Sequence, residues 1–157
     1  MKNFFTVGTN NIGYISQLFK DIFGDMDVKI PKKLKLEVKV LDKPMTDQKI
    51  FDEWQPKEST LGEFAWALKN EPRMLKNGYA SIFYVRDNRN TLWAVYAGWR
   101  PRCGGWGVNV SSVAYLSGWG GGGRVLSQAF SVLGDSRNLD GSVLEINGNK
   151  YRLNKIN

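Results

Sequence analysis

The sequence predicts an α+β fold in which two helices of the N-terminal half pack on a mainly antiparallel sheet, strongly coiled or closed into a small barrel. Three observations predict it. Helical spacing of apolar residues is confined to the first half of the chain, period-two alternation dominates beyond Gly78, and turn-forming clusters separate the alternating stretches. At 157 residues, 42% hydrophobic and 24% charged, the chain suits a single domain spanning residues 1–157 with its own core. Residues 1–58 are a candidate separate lobe, joined through a 42–59 connection to a helix-plus-sheet body at 60–157.

Asn10 or Asn11 is placed to cap a helix in which Ile12, Ile15, Phe19, Ile22 and Phe23 recur at helical spacing, with Gly24 as its stop. Leu34 to Val40 alternates apolar and charged residues, the pattern of a half-exposed strand. Residues 42–59, interrupted by Pro44 and Pro56, read as a connection with one short helix around Gln48 to Trp54. Thr60-Leu61-Gly62-Glu63 is a capping box, in which hydroxyl and carboxylate satisfy free backbone donors at a helix start. The helix it opens places Leu61, Phe64, Ala65 and Leu68 on one face, and Trp66, off that face, reads as packing against a neighbouring element. Pro72 ends it, and Asn77-Gly78 turns the chain.

Tyr79 to Arg86 and Thr91 to Trp99 flank the turn Asp87-Asn88-Arg89-Asn90 and form a hairpin whose strands, apolar on both faces, belong in the middle of a sheet. Trp106 to Val113 alternates more cleanly. Trp106, Val108 and Val110 point inward while Asn109 and Ser111 point outward, placing this strand nearer an edge or an open face. Gly118 to Gly123 is a loop, Arg124 to Gln128 a strand, and Val143 to Ile146 pairs through Asn147-Gly148 with Lys150 to Leu153. Trp93-Ala94-Val95-Tyr96, Gly105-Trp106-Gly107-Val108 and Arg124-Val125-Leu126-Ser127, spread over residues 92–128, resemble a pattern in small bacterial proteins of unassigned function. That resemblance implies no activity and carries over no functional residue.

Composition excludes several function classes. The chain has no histidine, which removes Ser-His-Asp and Cys-His catalysis and every histidine-based zinc site. Cys103 is the only cysteine, so no intrachain disulfide forms and a reducing compartment is the simpler reading. Arg102 is its cationic neighbour, but a nucleophile also needs an oriented base, so Cys103 reads as incidental. Asp25 with Asp27 and Asp52 with Glu53 have no third ligand spaced to converge on a metal, and read as helix-end and turn charges. Gly118 to Arg124 lacks the Gly-Lys-Ser/Thr ending and following helix of a nucleotide-binding P-loop, so it reads as a flexible connection. The N-terminus lacks a secretory apolar stretch and no run of eighteen apolar residues occurs. The expectation is a cytoplasmic, non-enzymatic binding protein with no cofactor, no metal and no membrane span.

Net charge is +7, from 22 Lys+Arg against 15 Asp+Glu, which favours phosphate backbones, acidic proteins or other anionic partners. Residues 79–128 concentrate the signal: four of the six tryptophans, nine of the seventeen glycines, five arginines, no lysine and one acid, Asp87. In this segment Trp93, Trp99 and Trp106 are candidates to stack unpaired bases, and Arg86, Arg100, Arg102 and Arg124 to contact phosphates, as in binders of RNA or single-stranded DNA. Within it, Trp99-Arg100-Pro101-Arg102 facing Trp106 is the centre of the candidate site. The same residues suit a surface docking an acidic protein, and indoles alone suit a carbohydrate-binding module. Against all three stands a plainer reading, in which the indoles fill the core and arginine stems lie across its rim. Lys29, Lys32, Lys33, Lys35, Lys39 and Lys43 read as a solvated strand face that discourages edge pairing.

Overall fold

A computed structural model describes residues 4–71, 78–114, 118–129 and 143–152. Its elements are β1 (Ile12–Ile15), α1 (Gln17–Phe23), β2 (Leu36–Val40), α2 (Asp47–Trp54), α3 (Leu61–Asn70), β3 (Ser81–Arg86), β4 (Leu92–Arg100), β5 (Gly105–Ser112), β6 (Arg124–Gln128), β7 (Val143–Ile146) and β8 (Asn149–Arg152). Strands β1 to β6 form one open sheet in the order β1-β5-β4-β3-β6-β2, and β7 and β8 form a separate two-stranded sheet among the described residues. The fold is α+β, as the periodicity predicts. Three α-helices occur among the described residues, the short one expected around Gln48 to Trp54 included; the sheet, antiparallel in three of its five pairings, is mixed, and it does not close into the expected barrel. β3–β4, β4–β5 and β2–β6 are antiparallel, whereas β1–β5 and β3–β6 run parallel. Helices pack on both faces, and the edge strands β1 and β2 lie at opposite ends of the sheet.

The N-terminal helix expected from Ile12 onward begins later. Ile12 and Ile15 belong to a four-residue strand, and Ser16, whose hydroxyl accepts from the Phe19 N–H, caps the short α1 that buries Phe19 and Phe23. The chain then passes to the opposite edge of the sheet, where β2 pairs with β6 in register from Leu36–Gln128 to Val40–Arg124. Thr46 caps α2 and Thr60 caps α3, the latter at the Glu63 N–H as the capping box requires. The β3–β4 hairpin turns where expected: Asp87 Oδ1 accepts from the Arg89 and Thr91 N–H groups and Oδ2 from the Trp93 indole. The helix stop at Pro72, the turn residue Asn77 and the strand end at Leu153 lie outside the described residues.

Alternation along the strands sorts side chains onto two faces. One face carries Phe83, Val85, Val95, Ala97, Trp106, Val108, Val110 and Leu126 against α1, α3 and Phe4. The other carries Ile82, Tyr84, Ala94 and Val125 against Leu41, Met45 and Ile50, on and just before α2. Gly62 lets α3 approach the segment around Lys29: a Cβ at that position would fall 1.7 Å from the Lys29 carbonyl oxygen. α2 packs over β3, β6 and the Ala94 end of β4, and among the described residues no helix packs on the half formed by β5, β1 and the Arg100 end of β4. That open half is where the candidate site lies.

Candidate functional site

Trp99 and Arg100 are chain neighbours in β4 and therefore face opposite sides of the sheet. Trp99 is paired with Trp106 across β4–β5, and the two indoles meet edge-to-face at 5.2 Å on the helix-covered side. Trp106 is 0% exposed and Trp99 is half-buried against the same core. Such a pair contributes about 0.5–1.5 kcal/mol beyond its area burial. Trp106 therefore offers no ring face to a ligand. Trp93 also packs on this core, with its indole N–H donated to Asp87. The plainer reading of the tryptophans describes these three positions.

The arginines separate in the same way. Arg86 is committed to Glu58, with Nε and Nη2 donating to the carboxylate at 2.7–3.1 Å, and its Nη1 donates to the Asn90 carbonyl. Arg124 is half-buried in β6, opposite Val40 on one side and Ser81 on the other. Arg102 is exposed in the short 3-10 turn Pro101–Cys103 between β4 and β5, together with the free thiol of Cys103. Arg100 alone reaches across the open half of the sheet. Its side chain crosses Gly107 of β5 and brings the guanidinium carbon 4.5 Å from the ring centroid of Tyr14 on β1.

Tyr14 is 38% exposed, and Arg100 is exposed as well. Next to them on β4 lie Gly98 and then Tyr96, whose ring meets Trp119 edge-to-face at 4.8 Å. Asn109 of β5 stands opposite Tyr96, half-buried on the same open side. Burial pushes the Tyr96 phenol above its ordinary pKa, the Arg100 guanidinium pulls it down and the Tyr14 phenol adds to the rise. The three groups thus share one electrostatic neighbourhood. No Asp or Glu occurs in residues 4–20 or between Asp87 and Asp135, so β1, β4 and β5 contribute no negative charge to it.

Trp119 is fixed from behind. Its backbone pairs with Met45, its indole N–H donates to Asp47 Oδ1 at 2.7 Å, and the same oxygen accepts the Tyr84 hydroxyl at 2.7 Å. Asp47 is 2% exposed, and this burial raises its carboxyl pKa while the two hydrogen bonds pull it back. The glycine loop from Gly118 to Gly123 therefore delivers Trp119 to the rim of the open face and ties it to α2. Gly122, at φ +93°, lies under the Tyr79 ring.

Sequence reasoning found Arg100 and missed Tyr14, Tyr96, Asn109 and Trp119. The parity of β4 was the available signal, since Tyr96, Gly98 and Arg100 must share a face that Trp99 does not. A shallow cleft of about 390 Å³ between the C-terminal end of α2 and Gly148 is lined by Phe51, Gln55, Pro56, Glu58 and Leu92. Its one ionisable group, Glu58, is occupied by Arg86. Among the described residues no three Asp, Glu or Cys side chains gather to hold a metal, and no helix is long and apolar enough to cross a membrane. No family model matches the chain, and neither does any of the curated proteins or solved structures with which it was compared.

Proposed function

We propose that the protein binds single-stranded nucleic acid, RNA or single-stranded DNA, across the open β1–β5–β4 face. The observation that supports this reading is the Arg100 guanidinium lying on the exposed Tyr14 ring in a part of the sheet without acidic residues. An arginine seated over a tyrosine ring presents cationic and aromatic surface to an unpaired base, and its N–H donors to a phosphate. Tyr96 and Trp119 extend the aromatic surface, and exposed Arg102 adds a second positive charge at its end. Bases in a duplex are already stacked and paired, so a surface of this kind favours unpaired strands.

The test is fluorescence anisotropy with labelled single-stranded and duplex oligonucleotides between about 50 and about 200 mM salt. Single strands are expected to bind more tightly than duplex, with affinity falling steeply as salt rises. Arg100→Ala and Tyr14→Ala each lower it about tenfold, in line with about 1–3 kcal/mol per stacked base. Salt-insensitive binding, or full affinity in both variants, rejects the proposal.

A further inference from the structure

Resting on the nucleic-acid reading above, we infer that Asn109 is the specificity-determining residue of this surface and that the base it selects is adenine. On its face of β5 Asn109 follows Gly105 and Gly107 and precedes Ser111, and it belongs to a residue class that strands disfavour. It is half-buried, and its amide makes no hydrogen bond with another described residue. The amide offers one acceptor oxygen and two N–H donors to a ligand on this face. Its location specifies the partner. Asn109 is directly opposite Tyr96 and diagonal to Gly98, which pairs with Gly107.

Gly98 sets aside room for a ring. It lies inside a nine-residue strand with no positive φ, and a Cβ there would meet only the Tyr79 carbonyl oxygen, at 3.9 Å. Glycine in a strand interior costs stability, and here neither backbone conformation nor crowding demands it. Gly98 lies between Tyr96 and Arg100 on the same face of the strand. A planar base seated there turns an edge toward Asn109. An asparagine amide satisfies the adenine edge on both sides, its oxygen accepting from N6–H and its nitrogen donating to N7. Guanine presents two acceptors at the corresponding positions.

The experiment compares the wild-type chain, Asn109→Ala and Asn109→Asp by anisotropy on oligo-dA, oligo-dC, oligo-dT and oligo-rA of about twelve nucleotides. The wild type is expected to bind oligoadenylate about tenfold more tightly than either pyrimidine strand. Both variants flatten that preference to less than about twofold, the larger loss of affinity falling on oligoadenylate. The dA and rA arms separate DNA from RNA as the source of the base, and the preference is expected in whichever binds more tightly. A wild type without adenine preference, or variants that keep it, overturns the role of Asn109 while leaving nucleic-acid binding standing. Absence of binding to every strand overturns both.

Discussion

Replacing Gly107 by alanine is expected to dismantle the candidate site and leave the sheet intact. A Cβ at Gly107 would stand 2.4 Å from Arg100 Nε and 2.8 Å from its Cδ, so the arginine must leave its seat on Tyr14. The obstructing atoms belong to a flexible, exposed side chain, and the backbone has no cause to move. Alanine for a strand glycine gains about 0.5–1 kcal/mol. Loss of the exposed cation–π contact costs about 0.5–1 kcal/mol. The two offset each other, and the thermal midpoint should shift by less than about 3 °C. Binding responds differently. No charge is removed, but the guanidinium is no longer held over the ring, so Kd for a labelled single strand should rise about 5- to 150-fold, from about 1–3 kcal/mol per stacked base. A double-mutant cycle isolates the cause: in an Arg100→Ala background, Gly107→Ala should change Kd by less than about twofold. Wild-type affinity in Gly107→Ala, or full additivity with Arg100→Ala, would refute the assignment of the Arg100–Tyr14 stack as the ligand-holding element.

Three further outcomes follow from the packing. Gly62→Ala should destabilise the fold by about 2 kcal/mol or more, because the clash is with the Lys29 backbone and outweighs the roughly 1 kcal/mol gained in helix propensity; unchanged urea denaturation would contradict the approach of α3 to that segment. Asp47→Ala should cost about 1–3 kcal/mol by stranding the Tyr84 hydroxyl and Trp119 indole, whereas Asp47→Asn retains an acceptor and costs less. Because burial raises the Asp47 pKa, the folded state holds its proton more tightly than the unfolded chain; the wild type should therefore gain on Asp47→Asn as pH falls toward 3.8, and a difference that stays flat with pH would show that the carboxyl is not desolvated. Asp87 has the opposite sign: the Trp93 indole and two backbone N–H groups lower its pKa, so its stabilisation is present above pH 3.8 and lost on further acidification. Denaturation of wild type and Asp87→Asn across that range should show the gap closing, and a gap that widens in acid would be incompatible with these bonds.

The β3–β4 hairpin, the capped α3 and the inward face of β5 were legible because each is specified by residues close together in the chain. Asp87 closes its own turn, Thr60 caps its own helix, and Trp106, Val108 and Val110 declare their face by alternation. β1 was not legible. Ile12, Ile15, Phe19, Ile22 and Phe23 satisfy helical spacing, and only the parallel partnership with β5 makes the first four residues a strand. That misreading hid Tyr14, and so hid what Arg100 rests on. Trp99 and Trp106 drew attention as the largest side chains near the arginines, yet size is also what fills a core. The polar and aromatic residues of the opposite parity were the less conspicuous half of the same strands.

The parallel joint between β1 and β5 also sets when the site comes into being. β3, β4 and β5 follow one another in the chain and pair with little loop to close, whereas β1 must return from the far end of the sequence to find β5. Tyr14 and Arg100 consequently meet only after the most non-local pairing has formed, and they part if that strand detaches. A ligand seated on both is a clasp across the outermost seam, stabilising by mass action the attachment of the N-terminal strand. Occupancy of the surface and protection of the β1 amides from exchange are then two readouts of one equilibrium.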